Sequence, residues 1–118
     1  MLLNMLKSKI HKAIVTDCSL NYEGSITIGK RLIKDANLNI NEKVDIYNVT
    51  NGQRFSTYVI EGSDNGIEII INGAAARLCE INDVVIIASY FYLNNDEILN
   101  YKPKIIHFKD YINNWLFI

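Results

Sequence analysis

The chain is 118 residues and 13.5 kDa, one domain's worth of polypeptide, able to bury roughly two-thirds of its unfolded surface without a disulfide or metal staple. Twelve Lys and Arg against 13 Asp and Glu leave a net charge of -1 and a pI near 6.1, without the basic surplus of a nucleic-acid protein. Hydrophobic residues make up 49% and charged residues 21%, a globular mix, and 20 Ile with 15 Asn suit strands and tight turns.

In residues 1–9 the charges follow the apolar residues, the reverse of a secretory signal, so no export is expected and the cytoplasm is the expected compartment. No apolar run approaches the roughly 20 residues of a membrane span. Strands are expected at 11–16 and 25–28, then a short helix at about 30–36. Strands at 44–49 and 54–61 flank Thr50-Asn51-Gly52-Gln53, and Asn-Gly is a strong hairpin signal. Another strand is expected at 66–71 after the turn-rich Gly62-Ser63-Asp64-Asn65, then a helical turn near 74–78. The most apolar segment, 84–92, reads as a strand, 96–99 as a brief helix and 104–108 as a last strand. Residues 111–118 are apolar for a terminus; a tail packed on its own barrel and a subunit contact both stay open.

Six or seven short strands with tight turns make the fold mainly β, a small closed barrel with a few short helices rather than a layered α/β sheet. Closure also hides strand edges, a hazard for so much β-branched sequence. No linker and no repeat divides the chain, so 1–118 reads as a single domain. Cys18 and Cys79 lie in no paired spacing and read as reduced structural thiols. With His11 and His107 they lack finger spacing, so no metal is expected.

There is no phosphate loop, no H-E-x-x-H and no G-x-S-x-G. Four local features remain. Tyr22-Glu23-Gly24-Ser25 stands directly before a strand, and Ser25 is an internal nucleophile beside a glycine free to adopt strained conformations. A second Gly-Ser, Gly62-Ser63, sits in a turn-like run and reads as turn. In Arg54-Phe55-Ser56-Thr57-Tyr58, alternation puts Arg54 and Tyr58 on one face and Thr57 on the other. Arg suits a carboxylate and Tyr can donate a proton, although a half-exposed strand explains the pattern too. Lys9 and His11 share a strand face, and Asn72-Gly73-Ala74-Ala75-Ala76 offers small residues with approachable backbone N–H groups or a plain turn.

In this order and spacing the segments resemble the pyruvoyl-dependent aspartate 1-decarboxylases. The resemblance rests on Lys9 and His11, Tyr22 to Ser25, Asn48-Val49-Thr50-Asn51-Gly52 with Arg54 to Tyr58, Asn72 to Ala76, and Asn82 to Ser89. It covers about residues 5–103; position 47 is Tyr where the family often has Trp, and the tail 104–118 is unmatched. It implies a six-stranded double-psi β-barrel, a homotetramer with sites between subunits, and self-cleavage between Gly24 and Ser25 into chains 1–24 and 25–118.

Loss of carbon dioxide from an amino acid needs an electron sink that side chains do not offer. By resemblance, Ser25 attacks the Gly24 carbonyl and becomes a pyruvoyl group that forms a Schiff base with L-aspartate, with no metal and no pyridoxal phosphate. Thr57 is implied in processing and His11 is a candidate participant; a maturation factor stays open. Arg54, Thr57, Lys9 and the Gly73, Ala74 and Ala75 backbone are implied in substrate binding, with Tyr58 as proton donor. The product is β-alanine, which feeds pantothenate and coenzyme A synthesis. The rival reading is a non-catalytic anion-binding module using Arg54 and Lys9, which leaves Tyr-Glu-Gly-Ser unexplained. No nucleic acid or membrane partner is expected.

Overall fold

A computed structural model of the chain describes residues 1–112. Eight strands carry it: β1 (Leu3–Ile14), β2 (Asp17–Ser19), β3 (Ser25–Ile28), β4 (Lys43–Asn48), β5 (Arg54–Glu61), β6 (Ile69–Asn72), β7 (Val84–Leu93) and β8 (Lys104–His107). Helices are brief: α1 (Lys30–Asp35), α2 (Asn95–Ile98), and 3₁₀ turns at Gly73–Leu78 and Phe108–Tyr111. Among the described residues no helix is long and apolar enough to cross a membrane.

The strands pair in the order β2-β6-β3-β5-β4-β7-β1-β8. Three of the pairings, β1 with β8, β2 with β6 and β3 with β5, are parallel; the rest are antiparallel. Among the described residues no ladder joins the two ends, so hydrogen bonding leaves the sheet open. Even so, Val15 and Thr16 alone connect β1, near one end of the order, to β2 at the other. Three peptide steps span at most about 11 Å, so the sheet must roll until its ends approach. Backbone bonds fix this crossing: Val15 N–H donates to Asp83 at 2.9 Å and Thr16 N–H to Ile69 at 2.8 Å.

Rolling puts one face of each strand inside. Ile10, Ile26, Ile46, Ile69 and Ile71 are fully buried there with Val44, Val59 and Val85. Each such side chain contributes about 1.5–3 kcal/mol relative to exposure. α1 presses Leu32 onto the same core. It ends where Asn37 adopts φ 57°, a conformation that Asn tolerates.

The expected elements are all present, but β6 begins at Ile69 rather than at residue 66, and two strand differences are larger. β1 begins at Leu3, paired with Leu93 and well before residue 11, and register shifts at Leu6/Ser8 and Ile10/Ala13 in its pairing with β7 break the period-2 pattern that would have shown it. β2 is three residues long and exists only by parallel pairing with distant β6. The expectation for the apolar tail falls largely on residues 113–118, outside the described residues. Tyr111 itself packs on its own chain, donating to Asp35 at 2.7 Å beneath the Arg31 guanidinium.

Candidate active site at the start of strand β3

Ser25 opens β3 directly opposite Asn72, the last residue of β6. Both side chains are buried although Gly24 and Glu23 are exposed. The Asn72 amide Nδ2 donates to Ser25 Oγ at 3.0 Å and to Thr27 Oγ1 at 2.9 Å. Ser25 Oγ–H in turn donates to the Glu23 carbonyl at 3.1 Å. The hydroxyl is thus held on both sides, with an amide donor aimed at its oxygen.

Gly73 follows Asn72 with φ +72°, and a Cβ there would fall 2.6 Å from both N and Cα of Gly24. Only glycine permits this backbone angle and this approach together. The chain at Gly24 therefore lies directly on the turn that begins the Gly73–Leu78 3₁₀ helix. Ala74 on that turn is exposed and Ala75 half-buried, so small side chains leave the backbone reachable beside Ser25.

β5 runs alongside. Its parallel pairing with β3 begins at Ile26↔Val59, one residue beyond Ser25 and Tyr58 on their strands. Thr57 and Tyr58 are half-buried and Arg54 is exposed. The β4–β5 register is unbroken from Tyr47↔Arg54 to Lys43↔Tyr58, so Thr57 and Tyr58 point to opposite faces as the alternation predicts. Arg54 stacks its guanidinium 4.6 Å from the Tyr47 ring centroid, a cation–π contact worth about 0.5–1 kcal/mol at an exposed site. Tyr47 Oη meets Tyr90 Oη at 2.9 Å. Burial, then that contact and Asp45, push the Tyr47 phenol well above its ordinary value, so it stays neutral.

Lys9 and His11 lie on β1, separated from β3 by β5, β4 and β7 in the sheet order. Among the described residues neither has a hydrogen bond to Ser25, Thr57 or Tyr58. His11 pairs with His107 of β8, their rings edge-on at 5.3 Å. It lines a cavity of about 360 Å³ with Lys12, Ile14, His107, Lys109 and Ile112. Burial, then the positive charge of Lys9 and the neighbouring His107, Lys12 and Lys109, lowers its pKa below the usual 6.5.

The family profile described as aspartate decarboxylase matches residues 1–114. The chain belongs to that family. It is 57% identical over 102 residues to an aspartate 1-decarboxylase of Thermoanaerobacter pseudethanolicus, covering 86% of this chain and 87% of the relative. A protein of the same name from Campylobacter hominis is 56% identical over 107 residues, with 91% and 92% covered. Another from Syntrophomonas wolfei is 54% identical over 114 residues, with 97% and 96% covered. The likeness to the aspartate decarboxylases therefore continues past residue 103, where the sequence motifs stop.

The structure gathers Gly24, Ser25 and Gly73 at one point, sets Thr57 and Tyr58 on the adjoining strand, and leaves Lys9 and His11 across the sheet. It also brings in Asn72 and Tyr47, to which the sequence assigned no role in the site. Asn72 stood in the Asn-Gly-Ala-Ala-Ala run, but only the β3–β6 register shows its amide reaching Ser25. Tyr47 was marked in the sequence only as standing where the family often has Trp, and its partner Arg54 became visible only through the strand pairing. Among the described residues no cluster of three or more metal-binding side chains occurs.

Proposed function

We propose that this chain cleaves itself between Gly24 and Ser25 and then decarboxylates L-aspartate to β-alanine and carbon dioxide, supplying pantothenate and coenzyme A synthesis in the cytoplasm. One observation carries the reading: the buried Ser25 hydroxyl, held by Asn72 and the Glu23 carbonyl, beside a Gly24 backbone seated against Gly73. Any buried hydroxyl takes hydrogen bonds; a serine that served only packing would not need the glycine before it seated against a second glycine.

In processing, Ser25 Oγ attacks the Gly24 carbonyl carbon and the C–N bond breaks, turning the amide into an ester. Loss of the Ser25 α-proton with rupture of Cβ–Oγ then frees Gly24 as a carboxylate. Water replaces the residue's nitrogen, which leaves as ammonia. Charge develops on the former carbonyl oxygen first, so a hydroxyl such as that of Thr57 is suited to stabilise it, and losing one such donor costs about 10²–10³ in rate. His11 would serve as a proton acceptor only if brought from another copy of the chain.

The surroundings fit a pyruvoyl group at residue 25: its polar neighbour is an amide donor, a glycine packs on the residue before it, and among the described residues no carboxylate hydrogen-bonds to it. When formed, that group supplies the carbonyl that takes up the electron pair left on Cα as carbon dioxide departs. The chain's own residues do the rest. Arg54, preset by its stack on Tyr47, holds a substrate carboxylate with its planar fork, and Lys9 takes the second. The Gly73, Ala74 and Ala75 backbone, with Thr57, borders the substrate, and Tyr58 returns a proton to Cα.

Thr57 and Tyr58 on opposite faces of an unkinked strand, with Lys9 three strands away, support a site completed between copies. We therefore read the assembly as a homotetramer of closed double-psi barrels, with Lys9 and His11 delivered by a neighbour. Intact-mass analysis of purified, incubated protein tests the proposal. Two chains, 1–24 and 25–118, are expected, the larger lacking an N-terminal amine. Ser25→Ala should fold, stay whole and form no β-alanine; β-alanine formation by that variant would refute the mechanism. Cleavage that begins only on adding cell extract would identify a maturation factor.

A further inference from the structure

Ser25 and Thr27 lie two residues apart on β3 and so share a face, and Asn72 of β6 reaches across the ladder to both. A carboxamide has two unlike ends, a donor and an acceptor, that are nearly the same size. Ser25 donates its proton to the Glu23 carbonyl, so its oxygen is left as an acceptor that the Nδ2 end of Asn72 satisfies. Thr27 adds a second oxygen at 2.9 Å on the Nδ2 side. One amide nitrogen with two hydrogens serves both oxygens at once, so the second bond fixes the rotation of the amide and the direction of the N–H that reaches Ser25.

We propose that Thr27 is a positioning residue for self-cleavage, anchoring the Asn72 amide at the rotation that aims its second Nδ2–H at Ser25 Oγ. The inference rests on the processing reading above and concerns a residue outside the resemblance's signature. A fixed donor acts at two points of that chemistry. Negative charge grows on Ser25 Oγ as it loses its proton to attack Gly24. It grows on the same oxygen again when Cβ–Oγ breaks and the oxygen leaves within the Gly24 carboxylate. An acceptor in that place would oppose both steps, and would instead hold the Ser25 proton in place.

The test is the cleavage half-time of freshly purified chain, read by intact mass, for Thr27→Val and Thr27→Ser. Valine keeps the shape and loses the oxygen; serine keeps the oxygen and loses a methyl. Loss of one net hydrogen bond predicts cleavage slowed about 2- to 10-fold in Thr27→Val, with Thr27→Ser within about twofold of wild type. A merely structural role would not separate the two variants in this way, since both leave a strand-compatible side chain. In an Asn72→Ala background, Thr27→Val should add nothing. Unchanged cleavage in Thr27→Val, equal slowing by serine and valine, or further slowing in the Asn72→Ala background would each overturn the proposal. A wild-type chain that never splits would instead refute self-processing itself, before any effect of Thr27 is considered.

Discussion

Gly73→Ala is the sharpest probe of the contact between the two segments that form the site. Gly73 has φ +72°, which costs a non-glycine residue about 1–2 kcal/mol. Its new methyl would also stand 2.6 Å from N and Cα of Gly24 and 2.9 Å from the Tyr22 carbonyl oxygen. Ordinary carbon contacts are about 3.5–4.0 Å, so the backbone at Gly24 must retreat by roughly 1 Å; it is main chain and has no rotamer to escape into. Steric and dihedral costs together reach about 2–4 kcal/mol, a melting temperature lower by roughly 8–16 °C for a domain of this size. A displacement of that order at a reacting bond costs about 10²-fold in rate, so cleavage at Gly24 should nearly stop.

Gly52→Ala is the matched control. Gly52 has φ +81° with nothing within 4 Å of its added Cβ, so it carries the dihedral cost alone, and cleavage should proceed at the wild-type rate. Thermal melting by circular dichroism and intact mass over time report the two quantities. If Gly73→Ala melts with Gly52→Ala and cleaves normally, the packing of Gly73 on Gly24 does not position the scissile bond.

Three further outcomes are expected. Arg54→Lys should raise KM for aspartate about tenfold or more while leaving cleavage intact, because an ammonium cannot reproduce the planar fork or its stack on Tyr47; steady-state kinetics on the cleaved enzyme decides it. His11, held below its usual pKa, binds fewer protons folded than unfolded. Its contribution to stability is therefore full above about pH 6.5 and is lost as pH falls through the folded value, so His11→Gln should flatten the melting-temperature profile below about pH 6.5. Glu42 is desolvated, yet bonds from Lys7 and Asn39 keep its pKa below the ordinary carboxylate value. Glu42→Gln, leaving Lys7 without its partner, should destabilise by about 1–3 kcal/mol above pH 4.5 and progressively less below it, measured by denaturant titration.

Much of this protein was legible in one dimension because the signals are local. The strand limits at Arg54–Glu61 and Ser25–Ile28 follow from β-branched runs bounded by turns, and Gly52 takes the positive φ that Asn51-Gly52 advertises. The order of short motifs likewise carried the family, since residue type and spacing survive without coordinates. What stayed hidden was everything set by pairing between distant segments. The bulges of β1 erased its alternation, β2 has no local cause, and Tyr47 gives no sign of stacking under Arg54 until β4 and β5 align.

The candidate nucleophile Ser25 belongs to both accounts. Sequence alone determined that Gly24-Ser25 precedes a strand and that a glycine and small residues recur at Gly73 to Ala75. Only the tertiary structure decided that these two stretches, almost 50 positions apart, touch. It did so through the antiparallel register Ser25↔Asn72, which aims an amide at the serine and sets one glycine against the other. The physical reason is that hydrogen-bond direction and steric clearance act over about 3 Å in space, and distance along the chain carries no trace of either.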